Sequence, residues 1–165
     1  MKRKYIYPII VALALMTSFV LWLVTKPLQA PSLQLTTIDG HLISLDKPFT
    51  KMLLLNFWAT DCPGCVREMP HLISFYQRHQ GDMDVIAIAM PYDSPTEVLT
   101  FSKNHALPFP VALDAEGRAV KSMKVMVTPT SFLLDKNGHV LRQFIGEIDF
   151  VRLEKLLTMS KEGTS

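Results

Sequence analysis

Cysteine is all but absent from this 165-residue chain, in which Cys62 and Cys65 are the only two. That scarcity excludes a disulfide-dense scaffold. It also leaves a structural zinc site short of ligands, since such sites take four Cys or His side chains at suitable spacing. His41, His71, His79, His105 and His139 are scattered without a paired motif. No metal is expected, and no cofactor beyond a Cys62–Cys65 disulfide. Charge is sparse at the start: no acidic residue precedes Asp39, and none of either sign lies between Lys4 and Lys26. An excess of positive charge is missing too. The whole chain carries +2, and residues 31–165 alone carry −2, which argues against nucleic acid as a partner. Internal repeats and low-complexity stretches are lacking.

The uncharged stretch, residues 5–24, has the length of a membrane-spanning helix. Tyr5, Tyr7 and Trp22 lie near its ends, where amphipathic rings favour the interface. Lys2, Arg3 and Lys4 precede it and only Lys26 follows closely, which predicts a cytoplasmic N-terminus and a single pass through the membrane, in a bacterium the inner membrane. A cleaved signal peptide is the alternative, but its apolar core is normally only about 7–15 residues long. Two segments are expected: a stub, anchor and linker over residues 1–30, and one folded domain over residues 31–165. The domain would lie on the far side of the membrane, which in a bacterium is an oxidising compartment that suits disulfide chemistry.

What the domain does contain is Cys62-Pro63-Gly64-Cys65, placed straight after an apolar run. Residues 53–58 read as a buried strand and residues 63–79 as a helix, with Gly81 as its stop. A strand ending in C-x-x-C at the mouth of a helix is the geometry of thiol–disulfide exchange. Unpaired helix N–H groups and the dipole stabilise a thiolate at the first cysteine, and the second can reach back to close a disulfide. A hairpin turning at Asp39-Gly40 precedes this unit. Further strands are expected at 84–90, 130–134 and 139–145, with an extended piece at 108–114. Helices are expected at 95–106, opened by a Ser94/Glu97 capping box, and at 117–123 and 150–159. This alternation predicts a three-layer α/β/α sandwich with a mixed central sheet, preceded by the transmembrane helix.

Three blocks carry a resemblance: NFWATDCPGCVREMP at 56–70, LPFPVALD at 107–114 and VTPTSFLLDKNG at 127–138. Together they are similar to the thioredoxin fold, and more narrowly to the TlpA/ResA-type membrane-anchored thiol–disulfide oxidoreductases. The resemblance covers roughly residues 31–160. It implies a periplasmic reductase of protein disulfides, in several relatives serving cytochrome c maturation, with cysteine-containing proteins as substrates. It also implies a membrane thiol donor of the DsbD/CcdA kind. Carried over by position, Cys62 is the attacking thiolate and Cys65 the resolving thiol. Thr128 and Pro129 form the cis-proline site that receives the substrate segment. Glu68 matches the family's acidic residue and, three positions after Cys65, shares its helix face, so it can exchange a proton with that thiol. A solvated helix glutamate is the competing reading for Glu68. The buried acid that thioredoxins carry on the preceding strand is replaced here by Asn56.

Two departures bear on redox tuning. Asp61 stands where the family usually has Trp; a carboxylate beside Cys62 disfavours its thiolate and makes the couple more reducing. Pro63 follows the first cysteine rather than preceding the second, an order closer to oxidases, and Gly64 adds backbone freedom. The direction of catalysis stays open between reductase and disulfide-forming oxidase. A copper-binding assembly factor on the same fold is the non-enzymatic alternative, although its cysteines would be separated by three residues.

Overall fold

Every residue of strand β3, Met52–Trp58, is buried, and the rest of the molecule is arranged around that strand. In the computed structural model, which describes residues 3–24, 29–46 and 48–162, the elements run as follows. Helix α1 (Arg3–Val24) leads to β1 (Gln34–Thr37), β2 (Leu42–Ser44) and β3. Then come α2 (Pro63–His79), β4 (Met83–Ala89), α3 (Pro95–Asn104), β5 (Val111–Leu113) and α4 (Arg118–Ser122). The chain closes with β6 (Thr130–Leu134), β7 (Val140–Ile145) and α5 (Phe150–Glu162).

One sheet of seven strands has the order β2-β1-β5-β4-β3-β6-β7. β3 pairs with β4, and β4 with β5, in parallel. β6 runs antiparallel to β3, β7 to β6, and β1 to both β2 and β5. Alternation along β3 sends its side chains to opposite faces. Leu54 and Trp58 join Met69, Leu72 and Phe75 of α2, Val98 of α3, and Leu153 and Leu157 of α5. Leu53, Leu55 and Phe57 face the other way, toward Ala119 of α4, Met123, Phe132 and Leu35. A strand covered on both faces reads as continuously apolar, which is why Asn56, buried in its middle, is conspicuous.

The ends of the sheet differ in use. β3 delivers the chain to Cys62 at its C-terminal end, while Leu53 at its start pairs with Leu134 at the end of β6. The β6–β7 turn therefore lies at the end remote from Cys62. At that remote end Gln29 bridges His139, and the Ala30 N–H donates to the Gly138 carbonyl at 2.8 Å. Ala30 is already buried, so the chain joins the domain before residue 31.

Two local expectations change. α3 begins at Pro95, but the Ser94 side chain makes no capping hydrogen bond; its carbonyl accepts from the Val98 N–H instead, at 2.9 Å. α2 stops without a left-handed glycine: Gln80 remains right-handed, Gly81 does not adopt positive φ, and the Asp82 N–H closes a turn onto the His79 carbonyl. The span expected over residues 5–24 coincides with α1. Residues 1–2 and 25–28 of the expected stub and linker lie outside the described residues, as do several α1 side chains. Among the described residues no helix is long and apolar enough to cross a membrane.

Candidate active site

The loop that leaves β3 is tied down before it reaches the cysteines. The Thr60 N–H and hydroxyl both donate to Asp93, at 2.7 and 2.6 Å, and the Cys62 N–H donates to the Ala59 carbonyl at 3.3 Å. Cys62 then caps α2 from an extended conformation, and its Sγ accepts the Cys65 N–H at 3.2 Å. Pro63 occupies the first turn, where its missing N–H costs nothing. A sulfur in that position meets the unsatisfied N–H groups and the positive end of the helix dipole, which favour a thiolate.

Cys62 and Cys65 are joined in a disulfide with their Cα atoms 5.3 Å apart. Access to the two sulfurs is unequal: Cys62 is half-buried, whereas Cys65 is only 1 % exposed. An external thiol or disulfide therefore meets Cys62 first. Facing the pair, the Thr128–Pro129 bond is cis. A Cβ placed on Gly64 would lie 3.3 Å from Pro129 Cδ, so glycine permits the close approach of that loop. The Pro129 carbonyl accepts from the Gly146 N–H at 2.9 Å. Among the described residues nothing pairs with the main chain of Thr128, which leaves it open to an incoming strand.

Glu68 is not a solvated helix residue. It is 2 % exposed; one carboxylate oxygen accepts from Asn56 Nδ2 at 2.9 Å and the other from the Ile148 N–H at 2.5 Å. Burial pushes its pKa up to about 7; the bonds from Ile148 and Asn56 pull it down, and the nearby Glu147 carboxylate adds to the rise. A group that titrates near neutrality can hold or release a proton at working pH. Asn56 also donates to Ser131 Oγ at 2.9 Å, while its own Oδ1 is buried without a partner among the described residues. Asn56 and Ser131 face each other in the β3–β6 register, so one polar chain runs from β6 through β3 to α2.

Asp61 and Pro63 are exposed beside the disulfide. Asp61 lies on a groove of about 430 Å³ shared with Thr60, Glu97 and Phe101. A larger cavity, about 530 Å³, is lined by Leu53 and Asp84 at the far end of the sheet, away from the cysteines. Among the described residues no three His, Cys, Asp or Glu side chains gather as a metal site. Three participants escaped the sequence reading. Ser131, a polar residue inside a buried strand, carried a signal. Ile148 acts through its backbone N–H and carried none. Glu147 looked like any loop acid.

Comparison with known proteins places this geometry. The Redoxin family model matches residues 24–157. Thiol-disulfide oxidoreductase ResA of Bacillus thuringiensis subsp. konkukian is 37 % identical over 130 residues, covering 78 % of this chain and 75 % of that protein. Sporulation thiol-disulfide oxidoreductase A of Bacillus subtilis is 32 % identical over 122 residues, 72 % of this chain and 73 % of the relative. The crystal structure of StoA from Bacillus subtilis superposes with a TM-score of 0.67 at 29 % identity, covering 78 % of this chain and 98 % of StoA. With a disulfide-linked C-x-x-C pair on a thioredoxin-like mixed sheet, the chain belongs to the Redoxin family and is a thiol–disulfide oxidoreductase related to ResA and StoA.

Proposed function

We propose that this protein reduces disulfides of partner proteins on the periplasmic side of a bacterial inner membrane, held there by residues 5–24. The carrying observation is the unequal pair: a reachable Cys62 at a helix N-terminus, its sulfur bonded to the N–H of a buried Cys65. The Cys62 thiolate attacks a substrate disulfide, forming a mixed disulfide and expelling one substrate thiolate, which takes up a proton. Cys65 then loses its proton, with Glu68 as the acceptor, and attacks the Cys62 sulfur. The second substrate thiolate leaves and is protonated. Two electrons pass to the substrate, and the Cys62–Cys65 disulfide forms. A membrane thiol donor of the DsbD/CcdA kind would return those electrons, and apocytochrome c is the substrate that the family relationship favours. Thr128 offers its main chain to the substrate segment beside Pro129.

Asp61 supports the reducing direction, because a carboxylate next to Cys62 opposes its thiolate and so favours the disulfide. A glutathione redox titration should place the couple nearer to about −270 mV, as in thioredoxin, than to about −120 mV, as in DsbA. Asp61→Asn should make it more oxidising by roughly 10–30 mV, since the charge is exposed and screened. An unchanged or lower potential in the variant would reduce Asp61 to a solvated loop residue. The Cys62-Pro63 order favours the oxidase reading, and a wild-type potential close to that of DsbA would establish it instead. Placement is tested separately: a reporter fused after Ser165 should be active only if it works outside the cytoplasm. Recovery of a soluble form beginning near residue 31 would remove the anchor.

A further inference from the structure

An exposed ion pair flanks the buried carboxylate along the chain. Arg67 Nη2 of α2 lies 2.7 Å from Glu147 Oε1 on the β7–α5 loop, and Arg67 Nε lies 3.2 Å from the same oxygen. Each partner is the chain neighbour of a member of the buried contact: Arg67 precedes Glu68, and Glu147 precedes Ile148, whose N–H donates to Glu68. Two cross-links, one at the surface and one inside, therefore join the same two segments one residue apart. Both surface side chains also border the redox loop. A Cβ on Gly64 would lie 3.6 Å from Glu147 Oε1 and 3.7 Å from Arg67 Nη2.

We propose that Arg67 and Glu147 are positioning residues for Glu68: Glu147 holds a negative charge near the buried carboxylate, Arg67 balances it, and the pair sets the pH at which Glu68 exchanges its proton with Cys65. The inference rests on Glu68 being the proton acceptor for Cys65, as read above. The groups around Glu68 leave few other levers. β3 contributes Asn56 and β6, behind it, Ser131, both neutral. α2 contributes Cys65 and Arg67, and the β7–α5 loop contributes the Ile148 N–H and Glu147. Glu147 is a like charge that adds to the rise at Glu68, and Arg67, 2.7 Å from it, is the positive charge placed to offset it.

The test is a carboxyl-carbon NMR titration of Glu68 in the oxidised full-length protein, with the pH profile of mixed-disulfide resolution measured alongside. Arg67→Gln leaves Glu147 unbalanced and should move the Glu68 midpoint up by about half a pH unit; Glu147→Gln removes the like charge and should move it down by about as much. The double variant should titrate close to wild type, and both single shifts should shrink in roughly 1 M salt. Opposite signs are diagnostic. A pair that merely braced the loop would lose the Ile148 N–H bond in either variant, moving both midpoints upward. Shifts in the same direction, or none, would overturn the proposal. Glu68→Gln separates the two levels. A resolution profile that keeps its inflection at the wild-type Glu68 midpoint in that variant defeats the proton-acceptor reading. A profile that loses that inflection and keeps only the rise from ionisation of Cys65, while the Glu68 midpoint ignores Arg67 and Glu147, defeats only the ion-pair inference.

Discussion

Cys65→Ser is expected to accumulate as mixed disulfides with partner proteins, recoverable after acid quenching and released by reductant. Cys62 remains at the start of α2, half-buried and reachable, so attack on a substrate disulfide proceeds. What disappears is the thiol 5.3 Å away by Cα that would resolve the adduct. An attacker held in place acts at an effective concentration no dissolved thiol approaches, so resolution should slow by at least about a thousandfold. Cys62→Ser should be as inactive but trap nothing, because the remaining sulfur of Cys65 is 1 % exposed. Adducts formed by Cys62→Ser, with none from Cys65→Ser, would exchange the two roles.

The second large effect concerns Glu68 and the pH dependence of stability. Its pKa is raised from the ordinary 4.5 to about 7 in the folded protein. Below pH 4.5 the folded and unfolded states are both protonated there, and the group's contribution is fully present. Between the two values the unfolded state has lost a proton that the folded state keeps, so stability falls as pH rises. At 1.36 kcal/mol per unit, about 3 kcal/mol is lost by pH 8. Glu68→Gln cannot ionise and should remove this slope, leaving the variant more stable than wild type at pH 8 by about 1–3 kcal/mol. Its amide brings a donor into a site that already supplies two. Asn56 can meet it by turning its amide, since Oδ1 has no partner at present. Denaturant unfolding of the oxidised full-length protein at pH 5 and pH 8 measures both quantities. A slope that survives in Glu68→Gln would assign it to other groups. In activity, the same variant should slow resolution more than the initial attack by Cys62.

The sequence displayed its periodic parts well. An apolar run leading into C-x-x-C, the helix over residues 63–79 and the turn at Asp39-Gly40 each follow from local chemistry. The strands expected at 53–58, 84–90, 130–134 and 139–145 lie within a residue of those observed, whereas the extended piece at 108–114 is a strand only over Val111–Leu113. Alternation shows which way a side chain points, so Cys65 and Glu68 could be put on one helix face. It does not show what lies opposite. The Glu68 cradle joins α2, β3 and the β7–α5 loop, segments up to 80 positions apart in the chain, and one of its donors is a backbone N–H that any residue would supply. Glu68 could therefore be matched to Cys65 in the sequence, with a solvated helix residue as the competing reading, but its burial appeared only with the tertiary contacts. The missing Ser94 cap has the same origin: a side chain able to cap need not do so once Pro95 and the backbone have fixed the turn.

The pairing of Gln29 with His139 and of Ala30 with Gly138 fixes where the chain enters the domain, and that entry point is also a standoff. β3 separates it from the cysteines by seven residues, roughly 20 Å at strand rise. If residues 5–24 are the tether proposed above, the reactive sulfur would be presented on the side of the domain turned away from its point of attachment. Proteins arriving from the surrounding compartment would then reach Cys62 head-on. An electron donor embedded in the bilayer would have to extend a cysteine-bearing segment past a full sheet length, or meet the domain lying on its side. Under the proposed anchoring, the same short stretch of pairing that holds the N-terminal end of the sheet would give incoming substrates the unobstructed approach and make recharging by a membrane donor the geometrically demanding half of the cycle.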